Sequence, residues 1–321
     1  MRKIFALLCA LLMVVSMAAC QNTTKSNDDG KYKIGICQIQ PHEALDAATN
    51  GFKQALIDAF GEENVEFDVQ NAAGDSNTCS TIVNSFVSDR VDLILANATP
   101  SLQAAAAATS VIPILGTSVT EYGVALEIDN FSGTVGRNIS GTSDLADLAA
   151  QAKMLHDWFP DAKNVGLLYC VSEANSIYQV NTVQAELEKL GYTCKQYSFS
   201  DGNDLAAVTQ KAADESDVIY VPTDNTVATY TGIIDGICRP AKIPVIAGEE
   251  GICKGCGVAT MSISYYDLGY DTGKMAVKIL KGEADIATMP IAYAENVTYK
   301  YNAEICAELG LTAPEGYAAI S

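Results

Sequence analysis

The chain has 321 residues, enough for two domains or one large one, with 49% hydrophobic and 18% charged residues. Its formal net charge of −19 argues against nucleic acid and anionic membrane surfaces as partners, because their phosphates would be repelled. The composition excludes no class of small ligand.

The chain begins with Arg2 and Lys3, then an almost wholly apolar run from Ile4 to Met17, then Ala18, Ala19 and Cys20. This predicts a secretory signal over residues 1–19, too short and wrongly flanked to span a membrane. Small residues directly before Cys20 are similar to a bacterial lipobox. Cleavage there would leave Cys20 lipidated at the outer face of the cytoplasmic membrane, on a polar tether over residues 20–31. Of ten cysteines, Cys37, Cys79, Cys170, Cys194, Cys238, Cys253, Cys256 and Cys306 remain. They are scattered through apolar segments rather than arranged as a framework, so free buried thiols are expected.

Strands and helices then alternate. YKIGICQIQ reads as a strand, LDAATNGFKQALIDAFG as an amphipathic helix closed by Gly61, and NVEFDVQNAAGD as a strand entering a polar turn. SNTCSTIVNSFVSDR (helix), VDLILANATP (strand), SLQAAAAATS (helix) and IPILGTSVT (strand) follow. The pattern restarts with LADLAAQAKMLHDWFP as a helix, NVGLLYC as a strand and SIYQVNTVQAELEKLG as a helix. Next come YTCKQYSFSD (strand), DLAAVTQKAADES (helix), VIYVPTDN (strand) and TVATYTGIIDGICRPA (helix). IPVIAGEE and VATMSIS read as strands, YYDLGYDTGKMAVKILKG as a helix, and the tail as a last strand and a short helix.

The halves parallel each other: VDLILANATPS matches DVIYVPTDNT in layout, and IPILGTS matches IPVIAGE. Strand–helix alternation implies parallel sheets, so the expected class is α/β with two similar lobes. Ligands of open parallel sheets bind at the carboxyl ends of the strands. Polar residues stand there in both halves: Gln38, Thr99, Thr117 and Ser118 in the first; Glu173, Asp224 and Glu249 in the second. Facing each other, these ends would line a cleft.

Catalytic patterns do not appear. There is no GxGxxG, P-loop or GxSxG pattern. Glu173, Asp224, Glu249 and Glu250 could be read as acid–base pairs, yet no nucleophile, base and orienter accompany them. A cleft carboxylate equally suits a ligand ammonium. No cofactor, metal or enzymatic activity is expected. Of the two histidines, His156 reads as a helix residue, while His42 stands where cleft loops begin and is either a turn residue or a ligand donor. The CxxC of EGICKGC lacks the ligands of a metal site and reads as a tight loop. Among Tyr122, Tyr169, Tyr178, Tyr230, Tyr265 and Tyr266, one or two could wall an apolar pocket.

IGICQIQPHEALDAATNGFKQAL, AAGD, VDLILANATPS, NISGTSD, LLYCVSEANS, YVPTDNTVA, IPVIAGEEG and YYDLGYDTGKMAVKILKG together resemble the ABC transporter substrate-binding protein family, with its tryptophan- and tyrosine-type solute receptors, over nearly the whole chain. The resemblance implies the periplasmic-binding-protein type I fold: two Rossmann-like lobes with three crossovers, near Ser140–Ser143, Ile263–Ser264 and Thr288. Lobe 1 would comprise 32–141 plus 265–287, and lobe 2 would comprise 142–264 plus 288–321. It implies ligand roles for His42, Thr99, Glu173, Asn175, Ser176, Asp224, Asn225 and Glu249. Pro41, Glu43, Glu121 and Tyr122 depart from the family pattern at the cleft. The function it implies is an exported, monomeric receptor that hands a small zwitterion, such as an aromatic amino acid, to an ABC permease. Thr99, Thr117 and Ser118 would hold the carboxylate, and Asp224 and Glu173 the ammonium. A sensor for a membrane signalling partner, or a receptor for a different small solute, are the alternatives.

Overall fold

The computed structural model describes residues 30–294 and 296–320. The expected signal, Cys20 and nearly all of the tether lie outside them.

Among the described residues, thirteen strands form two sheets. The first holds β1 (Tyr32–Gln38), β2 (Val65–Asn71), β3 (Leu93–Asn97), β4 (Ile114–Val119), β5 (Ile139–Ser143) and the late strand β11 (Ala292–Tyr293), in the order β11-β5-β4-β3-β1-β2. Every pairing in it is parallel. The second holds β6 (Asn164–Cys170), β7 (Thr193–Phe199), β8 (Val218–Val221), β9 (Val245–Ala247), β10 (Ala259–Ser262), β12 (Thr298–Tyr301) and β13 (Ala318–Ala319), in the order β13-β12-β10-β9-β8-β6-β7. Only the β10–β12 pairing is antiparallel. The inner strands β3, β4, β5, β8, β9 and β10 are buried along their whole length. Helices cover both faces of a parallel sheet, so β3, β8 and β9 read as nearly continuous apolar runs, whereas β4, β5 and β10 also bury Ser and Thr.

Sheet membership moves two expected boundaries. All of β5 through Ser143 belongs to lobe 1, and Ala292–Tyr293 pairs with Thr142–Ser143. Lobe 1 therefore extends past 141 and takes back residues placed after 287. The third passage between lobes follows Tyr293 rather than Thr288. Edge pairing of a two-residue strand leaves no hydrophobic signature, so the sequence pattern does not mark this passage.

Helix Tyr265–Leu280 returns to lobe 1 and lies against helix Glu43–Phe60. The contact is backbone to backbone. A Cβ on Gly269 would lie 1.9 Å from Ala48 O, and one on Gly51 2.0 Å from Tyr266 O. Only glycine permits this approach. The pair matters for the cleft because His42 opens one helix and Tyr265 the other.

Local corrections concern lobe 2 and its approach. The helix read as TVATYTGIIDGICRPA is two, Asn225–Thr229 and Thr231–Ala241, broken at Tyr230. EGICKGC is not a loop but helix Glu250–Cys256, with Cys253 and Cys256 buried. A short helix, Tyr122–Ala125, follows β4. All eight cysteines among the described residues are free thiols, buried except for half-buried Cys194.

Candidate functional site

The carboxyl ends of the strands in the two lobes face one another, and a cavity lies between them. Lobe 1 supplies His42, Ala44, Leu45, Ser118 and Thr120; lobe 2 supplies Asn175, Thr223, Asp224, Asn225, Ala228 and Glu249. Asp144, just past β5, and Tyr265, at the return helix, complete it. The cavity has a volume of about 10 Å3, room for one water. A larger cavity of about 370 Å3 adjoins it, sharing Ala44, Glu249 and Tyr265 and adding Ile263 and Tyr266.

Half of the expected site residues line the small cavity: His42, Ser118, Asn175, Asp224, Asn225 and Glu249. The others do not. Gln38 turns beneath helix Glu43–Phe60, where its amide donates to Asp46 Oδ1 at 2.7 Å and accepts from Thr49 at 2.7 Å. Thr99 is buried at the start of helix Thr99–Ala108. The Thr117 hydroxyl joins an interior chain through Thr142 (3.3 Å) to Thr272 (2.7 Å). The Tyr169 hydroxyl donates to Gln196 at 2.8 Å, on the flank of lobe 2. Ser176 donates to Asp224 Oδ2 at 2.8 Å.

Glu173 is also committed to structure. Its carboxylate accepts from Asn225 N (3.1 Å), Asn225 Nδ2 (2.7 Å), Thr226 N (2.9 Å), Thr226 Oγ1 (2.8 Å) and Asn175 Nδ2 (3.2 Å). It satisfies the first donors of helix Asn225–Thr229 and has no capacity left for an ammonium. Asp224 is nearly as occupied. It caps the same helix through Val227 N at 2.9 Å and accepts from Cys170 N at 2.7 Å as well as from Ser176. The ammonium role expected of Glu173 is therefore corrected, since it builds the wall without lining the cavity; Asp224 lines the cavity, with Oδ1 accepting only from Val227 N. Glu249 likewise caps helix Glu250–Cys256, accepting from Gly251 N at 2.7 Å and from Ile252 N.

Burial pushes Asp224 up to about 8, reinforced by the Glu173 charge, and pushes Glu249 up to about 7. Burial also raises Asp144 and lowers His42. No lysine or arginine lines the small cavity.

What the cavity lacks is partners. Among the described residues, the buried side-chain atoms without a hydrogen bond include Ser118 Oγ, Asp144 Oδ1 and Asn175 Oδ1. All three residues line this one space. Such atoms are rare and costly, so three at one place mark a built polar site. Tyr265 holds the other Asp144 oxygen at 2.9 Å. The Asn175 amide nitrogen donates to Glu173, Ser176 and Thr223 O, which turns its oxygen away from them. Ser118 adopts φ +54°, a left-handed backbone that costs a β-substituted residue free energy. Beside it, helix Glu43–Phe60 begins with no side-chain cap from His42, and its first-turn residues Ala44 and Leu45 line the cavity.

Asp144 was missed as a site residue. It stands in the quoted NISGTSD stretch, at the point where the chain leaves lobe 1. An acid placed directly at a lobe-to-lobe passage was the available signal.

Two parallel-sheet lobes closing over unsatisfied polar atoms define a solute-binding protein. Residues 33–319 match the family described as ABC transporter substrate binding protein. The chain is 35% identical over 305 residues to the tyrosine-binding protein of Clostridioides difficile strain R20291, covering 90% of this chain and 87% of that one. It superposes with a TM-score of 0.85, at 30% identity, on an ABC domain in complex with L-Trp from Streptococcus pneumoniae, covering 90% and 100% of the two chains. With a ligand-free, open substrate-binding protein with adhesive properties from Clostridium difficile, the TM-score is 0.68 at 38% identity, covering 90% and 99%. The chain belongs to the ABC transporter substrate-binding protein family, has the periplasmic-binding-protein type I fold, and is a binding protein rather than an enzyme. As a whole chain it superposes better on the L-Trp complex than on the open relative, although its sequence identity to the latter is higher.

Proposed function

We propose that the protein is the extracytoplasmic receptor of an ABC importer and binds a zwitterionic amino acid with an aromatic side chain. The observation that carries this is the convergence of Ser118 Oγ, Asp144 Oδ1 and Asn175 Oδ1 on one interlobe cavity. Asp144 Oδ1 and Asn175 Oδ1 accept from the ammonium, forming a charge-assisted pair in a buried place. The Ser118 hydroxyl and the first-turn N–H groups of helix Glu43–Phe60 receive the carboxylate, where the helix dipole favours negative charge. Three acids and no lysine or arginine disfavour a solute of net negative charge. The side chain extends toward the adjoining cavity, past Tyr265, Tyr266 and Ile263.

A cavity of about 10 Å3 does not admit an amino acid, so the lobes part for entry and close on the solute. The related tyrosine-binding protein and the relative in complex with L-Trp support the aromatic class. Export, a lipid anchor at Cys20, a monomeric state and a permease partner belong to the same proposal. Isothermal titration with L-tyrosine, L-tryptophan and L-phenylalanine, against L-glutamate as control, tests it. Binding of at least one aromatic amino acid and none of glutamate is expected. The reverse preference overturns it.

A further inference from the structure

Two consecutive residues at the start of helix Glu43–Phe60 reach across the cleft to different lobe 2 helices. His42 Nε2 meets Asn225 Oδ1 at 3.2 Å. Glu43 Oε1 meets Lys254 Nζ at 3.6 Å. The Glu43–Lys254 pair is not among the solute contacts proposed above, whereas His42 and Asn225 also line the small cavity.

The lobe 2 side of each contact is fixed. Asn225 gives both its backbone N–H and its amide nitrogen to Glu173 Oε2, which leaves its oxygen toward His42 and makes the imidazole the donor. Lys254 rides on helix Glu250–Cys256, whose first turn is tied down by Glu249. Between the two contacts lies a cavity of about 230 Å3 walled by Ala44, Ala228, Thr231 and Gly255, so the helix end is seated between two lobe 2 helices.

We propose that Glu43 and Lys254, reinforced by the His42–Asn225 contact at the cavity wall, form an interlobe clasp that stabilises the closed form and thereby sets solute affinity. Such contacts exist only while the lobes are together. Apparent affinity scales with the fraction of protein able to hold the closed form, so a clasp tightens binding through slower release. The proposal rests on the reading of the cleft as a solute site. Glu43 is one of the positions where the chain departs from the family pattern, so the Glu43–Lys254 arm would be a property of this chain.

The test is a charge-reversal cycle followed by stopped-flow binding of L-tyrosine or, failing that, L-tryptophan. Lys254→Glu should weaken binding about fivefold, mostly as faster dissociation, given the modest strength of exposed ion pairs. Glu43→Lys combined with Lys254→Glu should recover most of the loss, and Lys254→Arg should keep wild-type affinity. Wild-type dissociation in Lys254→Glu, or no recovery in the double variant, overturns the clasp. If the wild-type protein binds no aromatic amino acid, the solute reading fails by itself. Small-angle scattering then decides the clasp: Lys254→Glu should be more extended than wild type and the double variant compact, whereas identical profiles overturn it.

Discussion

Tyr265 donates its phenol hydrogen to Asp144 Oδ2 at 2.9 Å across 121 positions of sequence, and so binds the return helix to the first passage between the lobes. This bond helps to orient the carboxylate. With Oδ2 engaged, Oδ1 is the atom left without a partner at the cleft. An ammonium arriving there would meet a charge already positioned, with no loss of rotamer freedom on binding.

Asp144→Asn should therefore weaken amino-acid binding by about 3 kcal/mol or more, the scale for breaking a buried charge pair. The unliganded protein should become more stable, because the substitution removes a buried acid whose ionisation burial opposes. Titration calorimetry and thermal unfolding on the same samples check both signs.

Ser118 presents a similar trade. Ser118→Gly relieves a left-handed φ of +54° and removes a buried hydroxyl without a partner. It should raise the unfolding free energy by about 1 kcal/mol and reduce affinity at the same time. A variant that is more stable and binds equally well would remove Ser118 from the site.

Asp224 should behave as structure, not as ligand. Asp224→Ala strands Cys170 N, Val227 N and the Ser176 hydroxyl, at a cost of about 2–4 kcal/mol. Chemical denaturation should show this loss. Asp224→Asn, which can still accept at the helix cap, should retain most of the solute affinity.

The raised acids also set a pH dependence. Unfolded Asp and Glu titrate near 3.9 and 4.3, whereas Asp224 sits at about 8 and Glu249 at about 7 in the folded protein. A raised folded value means stability is fully present below the unfolded pKa and lost as pH rises through the folded one. The melting temperature of the unliganded protein should thus fall progressively from about pH 4 to about pH 8 and level off above that. His42 has the opposite sign, since its folded value is lowered; its effect falls below about 6.5, its unfolded value. Asp224→Asn should flatten the decline.

Much of this architecture was legible in the chain. The apolar runs of β3 and β8 and the amphipathic helices that alternate with the strands imply parallel sheets. The strand ends that turned polar, such as Ser118 and Asp224, do face the cleft. What the pattern could not decide was which polar ends remain available. Gln38, Thr117 and Glu173 look like Ser118 and Asn175 in sequence, yet their partners are distant residues such as Asn97, Thr142 and Thr226. Availability depends on tertiary satisfaction, which local propensity does not encode. The same holds for β11, whose two residues join lobe 1 only because β5 offers an edge.

The most direct test of the solute-receptor account compares L-tyrosine and L-tryptophan with their decarboxylated amines and deaminated acids by titration calorimetry, using wild type and Asp144→Asn. The account predicts tight binding of an intact amino acid, strong loss when either its ammonium or its carboxylate is removed, and loss in the Asp144 variant. Equal binding of the deaminated acid, or undiminished binding by Asp144→Asn, would contradict it.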